Sequence, residues 1–170
     1  YFDNVANNIT ATPLTIAGLV FFFSGLAFKL SLVPFHFWTA DTYQGAPSVV
    51  AGYLSVISKG AAAFAALTIL TKFANIITFW HPMLCIIIVL SITVANLFAI
   101  RQENIKRFMA FSSISQAGYI MLALLSPSAY ATTALSYYVL IYIVANLAVF
   151  GIIAVIENHD AKAVNISDYD

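Results

Sequence analysis

The chain has 170 residues, is 62% hydrophobic and carries only 8% charged residues, against about 25% in a soluble domain. That leaves too few charges to clothe a water-facing surface, and lipid is the expected solvent for most of the chain. The seven basic and seven acidic residues cancel, no basic stripe suggests nucleic-acid binding, and the three histidines and single cysteine offer neither metal-ligand spacing nor an internal disulfide.

Tyr1 is not an initiator Met and no signal peptide precedes the first apolar run, so the sequence reads as a fragment or a processed or split chain. Five apolar segments follow, roughly 13–33, 49–70, 82–100, 108–125 and 131–156, with a polar tail over 157–170. Each is long enough to cross a hydrocarbon core about 30 Å thick as a helix. They are continuously apolar rather than alternating, which excludes a barrel. The expected fold is an all-α, polytopic membrane bundle, a single membrane domain of about five transmembrane helices.

The first segment contains Lys29 and is expected to break at Pro34, which cannot donate to the carbonyl of Leu30. Broken helices at membrane depth line wet cavities and mark ion pathways in transporters. His36 follows the break by two residues, and its imidazole titrates near neutral pH, as a proton relay requires. A lone histidine packed in the core is the plainer reading. Gly18, Gly25 and Lys29 share one helix face, although Lys29 also lies close enough to the break to snorkel if the helix ended there.

The connection 41–48 (DTYQGAPS) carries turn residues Gly45 and Pro47. The second segment contains Lys59 near its middle, about ten residues or roughly 15 Å from either end. A lysine stem does not snorkel easily over that distance, and a central lysine costs about 2.5–3.5 kcal/mol on insertion scales. Such a residue needs a partner, a water-filled cavity or the loss of its proton. Gly52, Ser55, Lys59, Ala62 and Ala66 fall on one small, mildly polar face suited to close packing or hydration.

Trp80-His81-Pro82 opens the third expected segment, with Trp80 suited to a membrane interface and Cys85 read as a buried structural thiol. The stretch 101–107 (RQENIKR) reads as a solvated loop, with a contact to a neighbouring subunit as the alternative, and Asn104 is a candidate cap for the next helix. Ser126-Pro127-Ser128 makes a tight break. Arg101, Lys106, Arg107 and Lys162 fall on one side and Lys72 on the other, which places the first group in the cytoplasm or matrix.

The later segments carry neutral polar stripes. Ser112, Ser115, Gln116 and Tyr119 share a face of the fourth, while Tyr138, Tyr142 and Asn146 are spaced by four in the fifth. Thr93 and Asn96 do the same in the third. With Ser55 they form a possible hydrated lining, or they act as interhelical glue. No Asp or Glu lies inside any expected span, so neither lysine has a counter-ion on these helices.

The stretch FKLSLVPFHFWTADTYQGAPSVVAGYLSVISKGA (28–61) closely resembles a signature of the antiporter-like membrane subunits of respiratory complex I, the NADH:quinone oxidoreductases. NIKRFMAFSSISQAGYIMLALL (104–125) resembles a second. The YQGAP turn and the FHFW segment are nearest the subunit N branch, called subunit 2 in mitochondria. The resemblance implies a proton-translocating subunit built from inverted repeats, each with a broken helix, of which this chain matches the seventh to eleventh helices. It implies that Lys29, Lys59 and His36 lie on the proton pathway, with the glutamate partner of Lys29 upstream of Tyr1 and the terminal lysine beyond Asp170. It implies no cofactor in this chain, with NADH, FMN, iron–sulfur clusters and quinone held by other subunits. The implied partners are neighbouring antiporter-like and small membrane subunits and the lipid bilayer of a bacterial inner (plasma) membrane or mitochondrial inner membrane. Ala40 stands where the family usually has Pro, and Gln116 where related subunits often have His. The rival readings are a related cation/proton antiporter or membrane-bound hydrogenase subunit, and a membrane scaffold without proton conduction.

Overall fold

The computed structural model describes residues 12–125, 128–160 and 164–169, and the regular elements among them are helical. Ser126, Pro127 and Lys162 lie outside the described residues. Five helices among the described residues are long and apolar enough to cross a membrane.

Helix α1, Pro13–Leu30, starts with proline in its first turn, and the Thr12 hydroxyl caps it by accepting from the Thr15 amide. It stops at Leu30, upstream of the proline that was expected to break it. Pro34 cannot bond back to Leu30, and its ring drives Val33 out of helical geometry. The chain therefore leaves the helix early: Ser31 takes φ 63°, and its amide closes onto the carbonyls of Ala27 and Phe28. Helix α2, Phe37–Gly45, follows after the break. The two halves are tied by the Trp38 indole, which donates to the Phe28 carbonyl at 3.2 Å and stacks on the Phe28 ring.

Residues 41–45, expected to form a turn, are the last of α2; only Ala46 and Pro47 are extended. The residue before a proline is disfavoured in the helix, so the turn is set by Pro47 and Gly45 stays helical. Helix α3, Ser48–Lys72, holds a π turn at Leu54–Ser58 in its first half. Helix α4, Ile77–Ala99, begins five residues before the expected opening at Pro82, which sits inside it. Pro82 forfeits one bond, to the Thr78 carbonyl near the helix start. Trp80, expected at an interface, is buried in the core and donates to the Phe73 carbonyl at 3.0 Å.

Helix α5, Ile105–Leu122, is the most buried of the five crossings. Asn104 caps it by accepting from the amides of Lys106 and Arg107. Helix α6, Ala129–His159, has 31 residues, or roughly 46 Å, and so outruns the hydrocarbon core. It carries Glu157 to the end of the bundle where α2 stops and α5 begins. The tail folds back there: the Ile105 amide donates to Val164 and the Ile166 amide to Glu103. The 101–107 loop thus holds a segment of its own chain.

Buried residues form two clusters. One, around Phe23, Leu70, Trp80, Leu84 and Leu124, fills the end away from Lys106. The other, around Tyr43, Ala95, Ala110, Ile114 and Phe150, fills the basic end. Between α4 and α5 the fit is tight, since a Cβ on Gly118 would stand 2.8 Å from Ile92 Cγ1 and 3.4 Å from the Ile92 amide nitrogen. Gly118→Leu is expected to destabilise the bundle by about 1–3 kcal/mol, with Gly118→Ala milder. The thermal midpoint of the detergent-solubilised protein checks this; an unchanged midpoint for the leucine variant would mean that α4 moves aside freely.

Candidate functional site

Lys59 is the first residue after the π turn of α3, and only 1% of it is exposed. A π turn holds an extra residue and interrupts the ordinary hydrogen-bond ladder, and such turns recur at functional sites. Here a carbonyl within it is taken by a side chain from another helix: the Tyr142 hydroxyl of α6 donates to Ser55 O at 3.2 Å. Small residues let α6 come this close. A Cβ on Gly52 would meet Phe150 at 3.1 Å, and one on Gly60 would meet Val139 at 3.1 Å.

The Lys59 amine contacts three neutral groups. It lies 2.5 Å from Ser113 Oγ and 3.3 Å from Ser113 O on α5, and 5.9 Å from the centre of the Tyr43 ring on α2. The Tyr43 hydroxyl is itself 3.3 Å from Ser113 Oγ. The face inferred from spacing is buried at Gly52, Ser55, Lys59 and Ala66, with Ala62 half-buried. Ser113 and Tyr43, which complete the site, escaped the sequence reading. Ser113 is one of several hydroxyls on α5, and Tyr43 falls in the stretch read as a turn.

The polar stripes of α5 and α6 meet each other. Ser112, Gln116, Tyr138, Tyr142 and Asn146 line a cleft of about 480 Å³ between the two helices. In it the Tyr138 hydroxyl donates to Gln116 Oε1, and Asn146 donates to the Tyr142 carbonyl. Ser115 is buried, whereas Tyr119 is exposed. Ser55 turns its own hydroxyl back onto the Gly52 carbonyl at 2.8 Å. Cys85 is half-buried, 3.7 Å from His81 Nδ1 one turn away.

At the helix break, the Val33 amide that would otherwise be orphaned donates to Ser91 Oγ at 2.9 Å. His36 is buried, stacked on Phe37, and borders a second cleft of about 400 Å³ that reaches Asp41, Gln102 and Arg107. Its Nδ1 has no partner among the described residues, nor have the hydroxyls of Ser31 and Thr39. Lys29 is not brought to Lys59: it is exposed in the last turn of α1, on a face where Gly18 and Gly25 also have open space.

The basic end is closed by ion pairs. Lys106 lies 2.8 Å from Glu157 and donates to Ala46 O, while Glu157 accepts from the Ser48 hydroxyl. Arg107 pairs with Asp41 at 2.6 Å and reaches Gln44 at 2.8 Å. Thus α2, α3, α5 and α6 are tied together by charge at one end.

An apolar helix that ends before a proline, followed by a span with a buried central lysine, is the arrangement the comparisons with known proteins have to account for. The chain belongs to the NADH:quinone oxidoreductase/Mrp antiporter transmembrane family, whose profile matches residues 1–170; it is an integral membrane protein. It is 63% identical over 171 residues to NADH-quinone oxidoreductase subunit N of Phocaeicola vulgatus, covering 100% of this chain and 36% of that protein. It is similar to a chain of respiratory complex I from Thermus thermophilus, with a TM-score of 0.70 and 39% identity over 84% of this chain and 31% of the other. It is also similar to a chain of the archaeal membrane-bound sulfane sulfur reductase, with a TM-score of 0.82 and 28% identity over 92% of this chain and 33% of the other. The chain therefore spans about a third of the length of the proteins it matches.

Proposed function

We propose that this chain is the central part of a proton-translocating membrane subunit of NADH:quinone oxidoreductase, in which Lys59 holds and passes on the proton. The observation that carries the reading is the setting of Lys59: a titratable amine in mid-span, cut off from water and held by a hydroxyl, a carbonyl and a ring. Intramembrane ions are expensive and functional by default. No carboxylate stands against it among the described residues to lock the charged form, which suits a site that gains and loses a proton in turn.

Lys29 belongs to the same path through parts of the subunit outside this chain. Its open face, bordered by Gly18 and Gly25, accommodates a further helix carrying a carboxylate. His36 and bound water at the break serve as relay between the basic end and the membrane interior. Ser55, Ser112, Ser115, Gln116, Tyr142 and Asn146 supply the neutral lining. Electron transfer, with NADH, FMN, iron–sulfur clusters and quinone, resides in other subunits, and the partners are the neighbouring membrane subunits of the complex. The subunit N relative is bacterial, which favours the plasma membrane, with Lys106 and Arg107 at its cytoplasmic face. A cation/proton antiporter role is the second reading. It has the fold in its favour, but the identity to subunit N is much the higher.

Lys59→Met in membrane vesicles holding the intact complex tests the reading. NADH oxidation and the proton gradient, recorded together, are both expected to fall about tenfold or more, equivalent to at least ~1.4 kcal/mol on the limiting barrier. A complex assembled on a native gel and pumping at the wild-type rate would make the lysine structural.

A further inference from the structure

We propose that Ser113 and Tyr43 are positioning residues that hold the Lys59 amine in place in both its charged and its neutral state. The inference rests on the reading of Lys59 as the proton carrier and adds the residues that let it change charge without moving.

The geometry is a string of three groups from three helices. Lys59 Nζ is 2.5 Å from Ser113 Oγ, and Ser113 Oγ is 3.3 Å from the Tyr43 oxygen, the longer and weaker link. Tyr43 is wholly buried and Ser113 is 1% exposed, so the string lies out of reach of bulk solvent. The Tyr142 hydroxyl, from α6, is committed to Ser55 O at 3.2 Å. No carboxylate faces the amine from α2, α3, α5 or α6 among the described residues.

A hydroxyl both donates and accepts, and turning its hydrogen reverses the string. With Lys59 charged, Nζ–H donates to Ser113 Oγ, and the Ser113 hydrogen turns to the Tyr43 oxygen. Once Nζ has given its proton to the next carrier, its lone pair accepts from the Ser113 hydroxyl, and the Tyr43 hydroxyl donates to Ser113 Oγ. Each state keeps two hydrogen bonds. Ser113 and Tyr43 keep their own protons throughout, and no heavy atom has to travel. Ser113 O gives the charged amine a second acceptor at 3.3 Å. A carboxylate in place of Ser113 would fix the charged form; an alanine would leave the neutral amine with nothing to accept from.

The test uses the intact complex in vesicles. Ser113→Ala and Tyr43→Phe are each expected to lower proton pumping roughly fivefold, the scale of one buried hydrogen bond, and Ser113→Thr to restore it. The temperature at which half the complex is lost from a native gel is measured for both variants, with Lys59 and with Lys59→Met. A positioning role lowers that temperature further when Lys59 is present than with methionine, which leaves only the bond of the two hydroxyls to each other to be lost. Equal lowering in both backgrounds, or wild-type pumping by assembled Ser113→Ala and Tyr43→Phe, overturns the proposal. If Ser113→Ala fails to assemble, Tyr43→Phe, which keeps the ring, decides by the same criteria. Failure here with Lys59→Met still impaired leaves the proton-carrier reading standing; normal pumping by Lys59→Met removes both.

Discussion

Glu157→Ala is expected to destabilise the bundle by about 3–5 kcal/mol, the range for breaking a buried ion pair by removing one partner. The Lys106 and Glu157 side chains are 11% and 22% exposed, so water does little to replace either. Truncating the acid strands the Lys106 charge on the Ala46 carbonyl and takes away the acceptor of the Ser48 hydroxyl at the head of α3. Much of the loss is the penalty of an uncompensated charge rather than the worth of the pair. Lys106→Met combined with Glu157→Leu is therefore expected to recover most of it. The thermal midpoints of the solubilised single and double variants separate the two contributions. A Glu157→Ala midpoint within a degree of wild type would show that the pair is solvated and contributes nothing.

Trp80→Ala is expected to cost a similar amount, about 3–5 kcal/mol. Trp80 is 1% exposed in the cluster that also holds Phe23, whose ring centre lies 6.5 Å away. Lipid drives such packing weakly, because acyl chains are as apolar as the core. What holds the helices is the sum of close contacts, and lipid tails cannot refill an internal void. The indole also bonds the Phe73 carbonyl, pinning the start of α4 to the turn after α3. Trp80→Phe isolates that bond and is expected to cost about 1 kcal/mol. The same midpoint measurement applies, and equal losses for alanine and phenylalanine would mean that the bond, not the volume, is what matters.

The features that could be read from the sequence are those with local causes. The cost of a charge in lipid singles out Lys59 without any knowledge of its neighbours. Pro34 announces the break because it lacks a donor, and Asn104 announces the start of α5 because its side chain serves amides two and three residues on. The missed features depend on partners far along the chain. Glu157 meets Lys106 across 51 residues, and before folding it looks like the first residue of a polar tail. Ser113 could not be told from Ser112 and Ser115, because α5 is enclosed on several sides and periodicity gives no single inward face. The π turn has no signature in its residues, LSVIS, and only the Tyr142 hydroxyl arriving from α6 explains what becomes of the Ser55 carbonyl. Lys29, close enough to the break to snorkel, was the less isolated lysine; its outward direction is set by which side of α1 packs on α3.

The neutral surroundings of Lys59 have a consequence beyond the site itself. A proton passed within a salt bridge, from the cation to its own carboxylate, changes only a dipole, whose influence dies away quickly. On the proton-carrier reading, with no carboxylate beside the amine among the described residues, the proton comes from and goes to a more distant group, and each protonation event would add or remove a whole elementary charge at the centre of the bundle. At an effective dielectric constant of about 20, that charge alters the energy of another unit charge by about 1.7 kcal/mol at roughly 10 Å, nearly three times RT. On that reading the electric field of one lysine would be enough to bias a neighbouring titratable group in an adjoining part of the proposed membrane assembly without any displacement of helices.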